Sequence, residues 1–149
     1  MMYVFDMDGT IADLYGVKDW LPKLENHIAS PYVDAEPMWD MARLAKALKA
    51  SGAKIVVVTW LAKGSSKEYD MEVRKAKLEW LKANGFPYDK FHGVKYGTTK
   101  ANCVRRYMNE GEVAVLIDDN AKVRREWSLG ETVNPTAVDL VEYFERVAG

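Results

Sequence analysis

The stretch Tyr3-Val4-Phe5-Asp6-Met7-Asp8-Gly9-Thr10 decides how this chain is read. Met2 to Phe5 is a short apolar run with the character of a buried strand. It is apolar on both faces, so its natural place is the middle of a parallel sheet. It stops at two aspartates one residue apart, followed by Gly-Thr. Open α/β sheets bind ligands at the carboxyl ends of their strands. Asp6 and Asp8 are therefore expected at such an end, with their carboxylates close together. Two adjacent carboxylates repel unless a cation or a proton neutralises one of them. Asp8-Gly9 also reads as an ordinary turn after a strand, and the rest of the chain must decide between the two.

Outward from this stretch, strands alternate with helices. A helix is expected from Met38 to about Ala50, with Met38, Met41, Leu44, Ala45 and Leu48 on one face and Ser51-Gly52 at its end. Lys54 to Thr59 is β-branched and continuous, a second buried strand. Ser66 is a natural N-cap for a helix to about Ala83, with Met71, Val73, Ala76, Trp80 and Leu81 supplying its buried side. Phe91 to Val94 is a third strand. Thr98 or Thr99 caps a helix from Lys100 to about Asn109. Val113 to Ile117 is a fourth strand ending in Asp118-Asp119-Asn120, and a helix follows to about Ser128. Thr132-Val133 is a brief fifth strand, and Asn134-Pro135 opens a last helix. This is the pattern of an α/β fold with a doubly wound parallel sheet and helices on both faces.

Residues 11–37 interrupt that alternation and are rich in aromatics, including Tyr15, Trp20 and Tyr32. Val17, Trp20, Leu21, Leu24 and Ile28 follow helical spacing, with Asp19 placed to cap a short helix. The segment reads either as a surface helix packed by its own stripe or as a small lid over Asp6.

At 149 residues, the chain is expected to be one domain, residues 1–149, with the 11–37 insertion inside it. A formal net charge of −1 gives no long-range pull toward polyanions, which counts against nucleic acid as a partner. The single cysteine, Cys103, cannot form an internal disulfide and reads as a small core residue. No signal peptide and no stretch of about 20 apolar residues is visible, so a cytoplasmic protein without membrane contact is expected.

Parallel strands bring the polar ends Asp6-Met7-Asp8, Thr59 and Asp118-Asp119 to one rim. Carboxylates converging there are relieved by a hard cation with oxygen ligands, Mg²⁺ above all. Lys100 adds a positive charge. A cation, a lysine and a hydroxyl together suit a phosphoryl group.

With these residues in order, the sequence resembles the haloacid dehalogenase-like hydrolase superfamily. The motifs are Asp6-Met7-Asp8-Gly9-Thr10, a strand ending in Thr59, Lys100, and Ile117-Asp118-Asp119. The resemblance implies five core strands in the order 5-4-1-2-3, counted along the chain, and a phosphatase branch with a small or absent cap. It implies Asp6 as nucleophile, Asp8 as general acid and base, and Thr59 and Lys100 on the phosphoryl oxygens. Mg²⁺ would be held by Asp6, Asp118 and the Asp8 backbone carbonyl. Asp119 would bind it through water or orient Lys100. Gly9 and Thr10 would shape a turn whose N–H groups face the phosphate. True dehalogenases of the family lack the second aspartate, so Asp8 favours ester hydrolysis.

Lys95, at the end of the third strand, competes with Lys100 for the lysine role; Lys100 is preferred because its helix leads into the Asp118 strand, as the family pattern requires. Trp60 is either a packing residue or a platform for a substrate ring, and Tyr15 and Lys63 are further substrate-contact candidates, Lys63 toward a second phosphate alongside Lys67 and Lys95. Arg124 and Arg125 read as a solvated helix face, with Arg124 also placed to reach an acidic partner. His27 and His92 lack metal-ligand spacing and read as structural or surface residues. The expected activity is a Mg²⁺-dependent phosphomonoesterase working through an aspartyl phosphate, on a small phosphorylated metabolite such as a nucleotide. The rivals are a phosphatase of nucleic-acid ends and a non-catalytic phosphate-binding module. The oligomeric state is open.

Overall fold

The computed structural model describes residues 1–106, 108–136 and 142. Its centre is a parallel sheet built from β1 (Met2–Phe5), β4 (Lys54–Trp60), β5 (Lys90–Val94), β6 (Ala114–Ile117) and β7 (Thr132–Val133). The strands lie in the order β5-β4-β1-β6-β7, the order expected, with β1 in the middle. Phe5 stands beside Val57 on one neighbour and Ile117 on the other. That register brings Asp6, Thr59 and Asp118 to one rim.

Period-two alternation splits the sheet into two apolar faces. Tyr3, Phe5, Ile55, Val57, Val115 and Ile117 point to one face, packed by α3 (Trp39–Ala50) and α4 (Lys67–Ala83). Met2, Val4, Val56, Val58, Ala114 and Leu116 point to the other, packed by α5 (Lys100–Arg105) and α6 (Ala121–Glu126). Cys103 is buried in this second face.

The insertion forms two short antiparallel strands, β2 (Ala12–Asp13) and β3 (Glu36–Pro37), a 3-10 turn at Leu14–Gly16, and helices α1 (Trp20–Glu25) and α2 (Ser30–Asp34). It packs on α4: Leu14 and Tyr32 are buried with Tyr69, Val73 and Ala76. The Tyr69 hydroxyl donates to Ile28 O, and the His27 ring stacks on Tyr69. Asp19 stands before α1 in a left-handed conformation and makes no side-chain cap. Leu21 and Ile28 are exposed rather than part of a buried stripe.

Three local expectations change. Met71 is exposed, because the buried side of α4 runs through Tyr69, Val73, Ala76, Lys77 and Trp80. A lysine sits in that stripe because it faces the site, not the apolar core. The helix after Thr99 ends at Arg105, and Thr99 stands at its N-cap without a side-chain cap bond. Val113 is exposed and lies outside β6. The helix expected from Asn134-Pro135 falls mainly on residues outside the description.

Ser66 caps α4, its hydroxyl oxygen accepting from Tyr69 N at 3.1 Å. Ser66→Ala should lower the unfolding free energy by about 1 kcal/mol, read from urea denaturation. An unchanged midpoint would mean that the cap bond contributes nothing to the fold.

Candidate active site

The turn after β1 is built around Met7 O, which accepts from Thr10, Ile11 and Ala12 N. Gly9 has φ +79°, and a Cβ there would lie 2.4 Å from Asp119 Oδ2 and 2.8 Å from Tyr15 Cε2. Glycine is therefore required by both conformation and space. Its N–H donates to Ala12 O, which closes the turn instead of facing a phosphate. This corrects the phosphate-binding expectation for Gly9, whose role here is steric. The fully buried Thr10 hydroxyl lies 3.2 Å from Asp6 Oδ2 and 3.3 Å from Asp119 Oδ1, and accepts from Asp119 N.

Lys100 opens α5 and is buried. It donates to Asp6 Oδ1 at 2.8 Å and to Asp118 Oδ2 at 2.9 Å. Lys95 is exposed, so geometry favours Lys100. Lys100 contacts Asp118 and not Asp119, so the alternative that Asp119 orients it does not hold. Asp118 is held further by Asn120 N on Oδ1 and by Arg124, whose Nη1 donates to its backbone carbonyl at 2.9 Å. Arg124 is thus a support of the site, not part of a solvated face.

Sequence reasoning missed Lys77. Its ammonium, fully buried, donates to Asp8 Oδ2 at 2.9 Å, to Thr59 Oγ1 at 2.6 Å and to Trp60 O at 2.9 Å. It also lies 4.9 Å from the centroid of the Tyr32 ring. The available signal was a lysine four residues after Val73 on the buried stripe of α4, a position where charge is almost never found unpaired.

Electrostatics follow from this crowding. Four carboxylates and two contacting ammonium groups leave a formal charge of −2. At Asp6 burial works to raise the pKa, but the charge and hydrogen bond of Lys100 outweigh it and hold it low. At Asp8, Asp118 and Asp119 burial wins, aided by the Asp6 charge, and all three carboxyls rise above the ordinary range. At Lys100 burial is overcome by Asp6 and Asp118, which hold it protonated.

The donor set fits a hard divalent cation. Asp6, Asp118 and Asp119 each offer an oxygen, all within 4.8 Å of one another. The Asp8 side chain lies outside this group and is committed to Lys77. A residual charge of −2 is what such an ion would neutralise.

These residues form the floor of a cavity of about 770 Å³. Its walls carry Trp60 and Tyr96 with ring centroids 4.9 Å apart, and Tyr15 and Trp20 edge to face at 5.0 Å. Strand β4 continues through Trp60, so its side chain leaves opposite to Thr59. It packs partly with Val56 and Val58, while its indole N–H donates to Thr98 O at 2.8 Å. It packs and lines the cavity at once. Lys63 also lines the cavity, 5.7 Å from the Tyr96 centroid. Lys67 is exposed at the start of α4. No helix among the described residues is long and apolar enough to cross a membrane.

No protein-family model matches the sequence, and no curated protein matches it. Solved structures do resemble the fold. A chain of the Pnkp1/Rnl/Hen1 complex aligns over 89% of this chain and 44% of its own, at 17% identity and TM-score 0.60. The chain thus spans less than half the length of the Pnkp1/Rnl/Hen1 chains it matches. The D,D-heptose 1,7-bisphosphate phosphatase of B. bronchiseptica, complexed with magnesium and phosphate, aligns over 99% of this chain and 97% of its own, at 12% identity and TM-score 0.58. The Burkholderia thailandensis enzyme of that name aligns over 87% and 74%, at 13% identity and TM-score 0.54. The chain has the haloacid dehalogenase-like fold.

A carboxyl whose pKa is raised by folding binds its proton more tightly in the native state, so ionising it costs stability. For Asp119 that cost grows as pH rises from its unfolded value of ~4 toward its folded value of about 7. Asp119→Asn should therefore raise the melting temperature of chelated protein at pH ~8 by about 2–4 °C, or roughly 1 kcal/mol for this size. The difference from wild type should vanish below pH ~3, where the carboxyl is protonated in both states. Calorimetry across that range checks it, and a pH-independent difference would remove the repulsion argument.

Proposed function

We propose that this chain is a phosphomonoester hydrolase that works through an aspartyl phosphate on Asp6 and requires Mg²⁺. The observation that carries this reading is Lys100, buried between Asp6 and Asp118 on the floor of the cavity. It keeps Asp6 ionised and aimed, which is what a carboxylate nucleophile needs. Mg²⁺ held by Asp6, Asp118 and Asp119 would neutralise the phosphoryl oxygens.

The chain's own groups then divide the reaction. An oxygen of Asp6 attacks phosphorus, and the bond from phosphorus to the ester oxygen breaks. Asp8 gives its proton to that departing oxygen, so an alcohol leaves. Asp8, now a carboxylate, takes a proton from water as the water attacks phosphorus. The bond from phosphorus to Asp6 breaks, releasing inorganic phosphate and restoring both aspartates. A raised Asp8 pKa suits the first half, because the group must begin protonated. Thr59 and Lys100 meet the phosphoryl oxygens.

The aromatic walls support a substrate with a flat ring, a nucleotide in the first instance, and the 11–37 segment acts as a small lid carrying Tyr15 and Trp20. A phosphorylated nucleic-acid end is the second reading, favoured by Lys63 and Lys122 on the same cavity. It predicts competition by oligonucleotides that weakens steeply with salt.

Two outcomes test the reading. Asp6→Asn should fold normally and lose turnover, and quenched wild-type protein should carry one phosphoryl group on Asp6 by peptide mass spectrometry. A label reproducibly on another residue overturns the mechanism. Trp60→Ala should lower kcat/KM for nucleoside monophosphates about ten-fold, since stacking a base is worth ~1–3 kcal/mol. Glycerol phosphate should be affected much less. Parallel losses would make Trp60 a support for Lys100, whose ammonium lies 5.4 Å from its ring, and would remove the ring argument.

A further inference from the structure

Lys77 is the one fully buried charged group of the site that the reaction above leaves without a part. Four segments of the chain meet on its ammonium: the β1 turn through Asp8, the end of β4 through Thr59 and Trp60, the lid through Tyr32, and α4 itself. An ammonium has three protons. All three are spent, on Asp8 Oδ2, Thr59 Oγ1 and Trp60 O. Lys77 therefore has none left for a phosphoryl oxygen, and any part it plays runs through its partners.

Each bond fixes something the chemistry needs. By holding Asp8 at Oδ2, Lys77 leaves Oδ1 to carry the proton to the departing oxygen. By donating to Thr59 Oγ1, it occupies a lone pair and turns the hydroxyl proton outward as a donor. The other acceptor near that hydroxyl, Trp60 O, is at 3.4 Å, a weak contact. The Trp60 carbonyl is fixed by the same ammonium, so the strand end cannot relax independently. The arrangement is also cross-linked to the lid, because Tyr32 and Lys77 are both buried against each other.

We propose that Lys77 is a positioning residue for the phosphoryl transfer: it orients Asp8 toward the leaving group and Thr59 toward the phosphoryl oxygens. The proposal rests on the phosphatase reading above. It assigns to Lys77 an effect that is felt through Asp8 and therefore depends on how much the leaving group needs a proton.

The test is steady-state kinetics with Mg²⁺ on two esters, 4-nitrophenyl phosphate and 2-glycerol phosphate, for wild type, Lys77→Met, Lys77→Arg, Asp8→Asn and the Asp8→Asn/Lys77→Met pair. Lys77→Met should lower kcat for glycerol phosphate by ~10²-fold, and for the nitrophenyl ester by roughly ten-fold or less, since its leaving group needs little protonation. In the Asp8→Asn background the same change should cost about two-fold or less, because the two residues act as a unit. The part carried by Thr59 should appear as an equal KM rise for both esters. Lys77→Arg keeps the charge but cannot place three donors at one point. It should show the same skew between esters, more weakly, and it decides the matter if the methionine variant does not fold. Equal losses of kcat on both esters, or a full additional loss of kcat in the Asp8→Asn background, would make Lys77 a structural ion-pair partner and overturn the proposal. Wild type inactive on every phosphate ester would instead remove the phosphatase reading itself, and Lys77 would lose its role with it.

Discussion

Everything in this structure is arranged around the repulsion among four carboxylates at one rim of a parallel sheet. Asp6, Asp8, Asp118 and Asp119 are brought there by the register of three strands and a tight turn. Burial makes their mutual repulsion stronger than it would be in water. Two lysines offset part of it, and the alternation of the sheet dictates which lysine serves which carboxylate. Asp6 and Asp118 continue the face of Val4 and Leu116, so they meet Lys100 from α5. Thr59 continues the face of Val57, so it meets Lys77 from α4. Asp8 reaches Lys77 only because the chain has already turned after Met7.

The remaining charge then explains the rest of the site. Asp6, Asp118 and Asp119, the group whose oxygens could hold a cation, lie on the side of Lys100, while Asp8 is held apart on the side of Lys77. This separation gives the carboxylates different electrostatic surroundings. Lys100 holds the Asp6 carboxyl low, while at Asp8 burial outweighs Lys77 and pushes the carboxyl up. In the proposed reaction, a nucleophile and an acid of the same residue type would be distinguished by their surroundings. The aromatic walls add shape above this charged floor.

Much of this was legible in the sequence because it depends on short-range pattern. The apolar runs ending in Asp6, Thr59 and Asp118 mark the strands and the rim, while the strand order came from the family resemblance. Lys100 could be told from Lys95 only by its place before β6. What the sequence hid depends on contacts between distant segments. Lys77 blends into a charged helix until α4 is rotated to show which side faces the sheet, and Met71 was assigned to that side for the same reason. The Gly9 N–H was expected to face a ligand, but only the closed turn reveals that Ala12 O takes it. Arg124 looked solvated because its acceptor, a backbone carbonyl, leaves no mark in the residue pattern.

In the proposed reaction an Asp6 oxygen bonds to phosphorus while a divalent cation satisfies the residual charge beside it. The most direct measurement is a crystal structure of the protein grown with Mg²⁺ and fluoroberyllate, which mimics a phosphoryl group on a carboxylate. The beryllium is expected bonded to an Asp6 oxygen, with Mg²⁺ touching Asp6 and Asp118, Lys100 still on Asp6, and Thr59 on a fluorine. A fluoroberyllate on any other carboxylate, or a cation bound away from Asp6 and Asp118, would contradict it.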